Sequence, residues 1–272
     1  MIERARSYPY TILLRQEGCG EPYPYLRSNA GDKTMNCISP HHGRSFVVAQ
    51  RGDRYIVSKG NGLSYTTHAF INTGEMGSDT WGLLLRQDAV RDFTVGIEVE
   101  SIGIKTNHME YVLEIEQKVE LPDGTTLKPV LLQYSVECPY RICDIPFIPK
   151  KQIEAEIGKW KHMSREKAYH TMAADVLTSN LRTLHDHHIL HNAIHMQNYT
   201  LALELLDFEL ACTPQTPYTR EDDRRHVKEL FSREVIHTYE IVNQIAWLLG
   251  EDIDYGKVDT LFADKGFILP SA

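Results

Sequence analysis

The stretch His191–Glu209, HNAIHMQNYTLALELLDFE, decides how the rest of the chain is read. Histidines crowd its entry: His185, His187, His188, His191 and His195. Imidazoles are good zinc ligands, but no HExxH spacing and no cysteine partner accompanies them. Histidines at the end of a predicted helix are also favoured there by the helix dipole, as structural or solvated groups. The oxygen-bearing residues form a different pattern. Asn198 lies in a polar loop, a short apolar run predicted as a strand spans 200–206, and Asp207 follows it. A loop and a strand end that present two oxygen ligands side by side suit a hard cation such as Mg²⁺.

Protein kinases carry a catalytic loop of the form HxDxxxxN, then a short strand, then Asp-Phe-Gly. The Asn and the second Asp hold Mg²⁺ on the ATP phosphates. His191 and Asn198 have the required spacing, and Asp207-Phe208-Glu209 stands where Asp-Phe-Gly would. The catalytic carboxylate would fall at residue 193, which is Ala193.

Working outward from that stretch, residues 45–59 (SFVVAQRGDRYIVSK) predict a β-hairpin turning at Arg51-Gly52-Asp53. Lys59 ends its second strand, where a kinase keeps its phosphate-binding lysine. Residues 60–80 read as loop. Residues 87–102 have apolar positions at helical spacing, with Gly103 as a C-cap. Asp92 and Glu98 are the acidic candidates on this helix. Residues 110–119 and 126–137 predict a second hairpin. The segment 39–45, with Gly43 its one glycine, precedes the first hairpin where a phosphate-covering loop would sit. Residues 1–38 read as a loop-rich N-terminal extension.

Beyond Pro149 the pattern becomes helical: 150–161, 165–188, a long amphipathic helix at 221–249 and a short one near 256–264. The expected organisation is an extension at 1–38, a β-rich N-lobe with one helix at 39–137, and a mainly helical C-lobe at 138–272. Together these predict an α+β, bilobal, protein-kinase-like fold. A net charge of −8 argues against a nucleic-acid partner, since counterion release needs a cationic surface. No apolar run is long enough to span a membrane, and the N-terminus lacks a signal-peptide pattern. Five cysteines with no CxxC pair favour reduced thiols and a cytoplasmic home.

The sequence resembles the selenoprotein O group of kinase-like enzymes, which transfer AMP from ATP to protein hydroxyls. The family loop HGVMNTDNMSILGLTIDYG aligns without a gap to residues 191–209, sharing His191, Asn198 and Asp207, and it also lacks the catalytic-loop Asp. The family's LKGAGLTPYSR resembles the segment from Val57 through Lys59-Gly60-Asn61-Gly62-Leu63 to Tyr65. Its IRESLASEAMHYLGIPTT resembles residues 90–106 and makes Asp92, rather than Glu98, the partner of Lys59. Its RVAPSHLRFG resembles residues 134–143, placing Arg141 on a phosphate-binding arginine and Tyr134 where the family has a second one. Gln197 replaces a family Asp.

The resemblance implies an ATP-dependent transferase, using Mg²⁺ or Mn²⁺, that moves AMP or phosphate to a protein, peptide or small-molecule acceptor. Lys59, Gly43 and Arg141 would bind nucleotide, Asp92 would orient Lys59, and Asn198 and Asp207 would hold the metal. Glu209 is a candidate further ligand or base, and His195 a candidate on the acceptor side. The alternative, prompted by Ala193, is a catalytically silent pseudokinase that binds nucleotide or a partner.

Overall fold

The computed structural model describes residues 2–27, 34–38, 44–62, 82–120, 124, 126–161, 168–216 and 227–269. The chain divides into two compact units, Met1–Ile97 with Asn107–Pro139, and Glu98–Thr106 with Tyr140–Ala272.

The first unit is built on an eight-stranded antiparallel sheet. Its strands are β1 (Ile2–Ser7), β2 (Tyr10–Arg15), β3 (Tyr25–Arg27), β4 (Thr34–Ile38), β5 (Ser45–Arg51), β6 (Arg54–Lys59), β7 (His108–Ile115) and β10 (Val130–Val136). Their order across the sheet is β2-β7-β10-β6-β5-β4-β1-β3. A small ribbon, β8 (Val119–Glu120) with β9 (Thr126–Leu127), extends the β7–β10 connection. The predicted hairpin forms with Arg51 paired to Arg54 around Gly52, whose φ of +64° suits a tight turn. Central β10 is buried at every position, Gln133 and Ser135 included, so its sequence lacks the alternation of a half-exposed strand.

Residues 1–38 are not the loop-rich extension expected. Their β2 covers one edge of the sheet against β7, and β1, β3 and β4 build the other edge beyond β5. The prolines and glycines that suggested loops lie between these short strands. Edge strands need partners that local sequence does not name, and pairing gives them the order their composition conceals.

Helix α1 (Arg86–Ser101) follows β6 and carries Ala89 and Phe93 into the core of the first unit. It lies against β7 because Gly96 has no side chain: a Cβ there would fall 2.2 Å from the Met109 Cε. Gly103 ends the helix at φ +84°, its N–H donating to the Glu100 carbonyl at 3.0 Å.

The second unit is mainly helical: a 3₁₀ turn at Ile142–Phe147, α2 (Lys150–Lys161), α3 (Tyr169–Asp186), α4 (Val227–Leu249) and α5 (Tyr255–Asp264). Val235, Thr238, Val242 and Ile245 of α4 are buried, the face its periodicity predicts. The carboxylate of Glu251, just past α4, accepts N–H bonds from Tyr169 and His170 at 2.9 Å each and so caps the start of α3. No helix among the described residues is long and apolar enough to cross a membrane. The strand–strand–helix–strand–strand order of β5 to β10, followed by a helical unit, is the α+β order of elements predicted from the sequence.

Candidate functional site

In the first unit, Lys59 ends β6 and Asp92 sits in the second turn of α1. Lys59 Nζ lies 2.8 Å from Asp92 Oδ2, and the two side chains are 3% and 2% exposed. The segment leaving Lys59 is fixed by backbone geometry. Gly60 has φ +92°, and a Cβ there would lie 2.6 Å from the Val130 carbonyl oxygen. The Gly60 N–H donates to the Arg44 carbonyl at 2.9 Å. Arg27 of β3 reaches across to the Ser45 carbonyl at 3.4 Å, also donates to the Gly62 carbonyl, and stacks over Phe46 at 4.3 Å. Gly43 lies outside the described residues.

In the second unit, the stretch 190–212 forms a closed loop. Leu190 and Cys212 exchange backbone hydrogen bonds of 2.9 and 2.7 Å at its base. Inside it, His191 is fully buried. Its Nε2 is 2.9 Å from the Leu206 carbonyl, its Nδ1 is 3.3 Å from the Ala193 N, and its ring meets Phe208 edge-on at 5.2 Å. The backbone N–H of Ala193 can only donate, so Nδ1 accepts and Nε2 carries the proton. His191 thereby joins the loop before Asn198 to the segment before Asp207.

Asn198 is directed in the same way. Its Nδ2 donates to the Ala193 carbonyl at 2.9 Å, which turns Oδ1 away from that carbonyl as an available acceptor. The Leu206 N–H donates to the Asn198 carbonyl at 2.8 Å, which sets Asp207 beside it. Asp207 itself has φ +71°, a left-handed conformation that an Asp tolerates better than most residues but that costs backbone energy. An amide oxygen and a half-buried carboxylate are the donor types a hard divalent cation takes, so these residues fit Mg²⁺ in kind. Glu209 is half-buried two residues further on.

Residues 200–206 form a turn rather than the predicted strand. Leu203 has φ +61°, its N–H donates to the Thr200 carbonyl at 2.9 Å, and the Thr200 N–H donates to the Glu204 carbonyl at 3.0 Å. The run is apolar because it is buried. Thr106 anchors it, Oγ1 donating to the Leu205 carbonyl at 2.5 Å.

The Arg141 guanidinium donates through Nη1 to the Gln197 carbonyl at 2.7 Å, so it braces the loop next to Asn198. Its backbone N–H bonds Asp144 Oδ2 at 2.8 Å. Tyr134, aligned with the family's second arginine, is buried in β10. His195 is exposed and caps the turn Met196–Asn198, its Nδ1 accepting the Gln197 N–H at 3.3 Å. That leaves the proton on Nε2, a donor. Desolvation and the neighbouring His237 hold its pKa below the usual imidazole value, with Glu240 opposing, so the ring is neutral at pH 7.

The histidines do not converge. His185 Nε2 pairs with Glu234 Oε2 at 2.9 Å, and His187 Nδ1 meets the Thr183 carbonyl at 2.9 Å. No metal-like cluster among the described residues contains a histidine. Sequence reading missed Glu234, on α4 and only 3% exposed, whose Oε1 accepts the Asn192 N–H at 2.7 Å and steadies the loop entrance. It carries no local signal, because its partner lies 42 residues away.

No protein-family model matches the chain, and no curated protein matches it. Among solved structures it is similar to an Stt7 homolog from Micromonas algae soaked with ATP, at 12% identity, 92% coverage of this chain, 81% of that one and a TM-score of 0.48. It is also similar to a rhoptry antigen kinase domain from Toxoplasma gondii, at 10% identity, with 86% of this chain and 77% of that one covered and a TM-score of 0.41. A third similarity is to WaaP in complex with acyl carrier protein, at 7% identity, 82% and 84% coverage and a TM-score of 0.34.

Proposed function

We propose that the chain is an ATP- and Mg²⁺-dependent transferase that moves AMP or phosphate to a nucleophilic acceptor. The observation that carries this reading is the Lys59–Asp92 pair, held 2.8 Å apart with both side chains nearly closed to solvent. Burying two charges costs several kcal/mol per ion, and a hydrophobic pair of similar volume is often as stable or more so. A lysine kept charged and oriented by a carboxylate at such expense is what phosphate binding needs.

In this reading Lys59 binds phosphate oxygens and Asp92 keeps its ammonium aimed. Asn198 Oδ1 and the Asp207 carboxylate hold the metal, with Glu209 a further candidate ligand. The metal, when bound, offsets charge on the phosphates. Arg141, beside the Asn198 loop, is the candidate to meet a phosphate with its guanidinium. The acceptor oxygen attacks phosphorus, the bond to the bridging oxygen breaks, and pyrophosphate or ADP leaves. The acceptor proton passes to solvent, because position 193 offers only a methyl group and His195 presents an N–H.

Ala193 favours a second reading, a pseudokinase that binds nucleotide without turnover. General-base help is worth roughly 10²–10⁴-fold, so its loss slows transfer without abolishing it. Incubation with Mg²⁺ and ATP labelled at the α or γ phosphate separates the readings. Transfer of either label supports the transferase, and its position identifies the group moved. Nucleotide binding without label transfer supports the pseudokinase. Absence of nucleotide binding by calorimetry overturns both.

A further inference from the structure

We infer that the Ser45 hydroxyl is a phosphate ligand paired with Lys59, an inference that rests on the nucleotide-binding reading above. Ser45 opens β5 and is registered directly across from Lys59 on β6. Directly opposed residues of antiparallel strands put their side chains on the same face of the sheet, with Cβ atoms roughly 4.5–5.5 Å apart. Ser45 is fully buried, and its Oγ has no hydrogen-bond partner. Its backbone, by contrast, is engaged: the Ser45 carbonyl accepts from Arg27 Nη2 at 3.4 Å.

A buried hydroxyl without a partner is costly, and nearly all such groups in native proteins are satisfied. Alanine has almost the same volume and would remove the cost. The hydroxyl therefore asks for a ligand, and its surroundings say which kind. Directly across from it on β6 stands Lys59, whose ammonium is a donor. A further donor in that company suits an anion with several acceptor oxygens, and a hydroxyl can give its proton to a phosphate oxygen. The neighbouring segment 39–45 has a single glycine, so a side-chain donor at Ser45 supplies a contact that glycine-rich loops make through backbone N–H groups.

The test compares the full chain with Ser45→Ala and Ser45→Cys in two measurements. Calorimetry with ATP, AMP and adenosine, with Mg²⁺ present, reads affinity. Thermal unfolding without nucleotide reads stability. The inference expects ATP affinity to fall about tenfold or more in both variants, with adenosine affinity unchanged. It also expects Ser45→Ala without nucleotide to melt at the wild-type temperature or higher, because an unsatisfied hydroxyl has gone. Wild-type binding of ATP with unchanged affinity in both variants overturns the Ser45 assignment and leaves the nucleotide reading intact. Equal losses for ATP and adenosine also overturn it, since the contact would then not be to phosphate. No ATP binding by the wild type overturns the nucleotide reading itself.

Discussion

Lys59 Nζ and Asp92 Oδ2, contributed by a strand end and by a helix 33 residues later, meet at 2.8 Å inside the first unit. Breaking such a pair strands the surviving charge, which typically costs 3–5 kcal/mol, whereas replacing both partners by apolar groups is often neutral. Lys59→Met or Asp92→Leu alone is expected to lower unfolding free energy by about that amount. The double variant is expected to recover most of the loss in chemical denaturation while failing to bind ATP. A double variant that binds ATP like the wild type would remove Lys59 from the phosphate site.

Asn198 is expected to act through the orientation of its amide. Asn198→Asp sets a carboxylate oxygen against the Ala193 carbonyl in place of a donor, and a buried group left without its bond costs about 1–3 kcal/mol. Melting temperature should fall, and Mg²⁺-dependent label transfer should fall with it. Asp207→Ala removes a carboxylate from the proposed metal site, so it should abolish transfer. Full activity in Asp207→Ala would sink the metal assignment.

Glu251 sets an acid-side limit on stability. Burial pushes its carboxyl pKa up, but the amides of His170 and Tyr169 and the His170 ring outweigh burial and hold it below the usual range. A depressed folded pKa gives stability that is present above the unfolded carboxylate value. That stability is lost as pH falls through the folded value. Glu251→Gln should therefore be less stable than wild type at pH 7, by about 1 kcal/mol for a weakened cap, and the gap should close in acid. Paired denaturation curves from pH 7 down to pH 3 check this, and a gap independent of pH would contradict it.

Gly60→Ala should be among the most damaging single-methyl additions in the first unit. The residue is left-handed, and the new Cβ would meet the Val130 carbonyl at 2.6 Å, a backbone atom that cannot step aside. Strain and overpacking together predict a loss of about 2 kcal/mol or more. The neighbouring Lys59 moves with the backbone, so ATP affinity should drop too. Unchanged melting and binding would show that the segment after Lys59 is not held as described.

Much of the chain was legible before folding was considered. The first hairpin and its turn at Gly52, α1 with its glycine stop, α2 and the burial of one face of α4 follow from periodicity and local turn chemistry, which depend on residues only a few positions apart. The spacing of His191, Asn198 and Asp207 singled out a loop that does prove to be closed and internally braced.

Tertiary structure alone decided the rest, because the deciding partners are far apart in sequence. Within the first 38 residues, read as loop, β1 to β4 became sheet edges, since an edge strand is defined by the neighbour it pairs with. The apolar run 200–206 read as a strand and became a turn, since burial makes a segment apolar whatever its backbone does. Glu234 and Glu251 look like ordinary surface acids in the sequence until the backbone N–H groups of Asn192, Tyr169 and His170 come to meet them. Composition tells which side chains prefer burial, but which buried polar atom finds a partner, and which is left waiting as at Ser45, is fixed only by the packed chain.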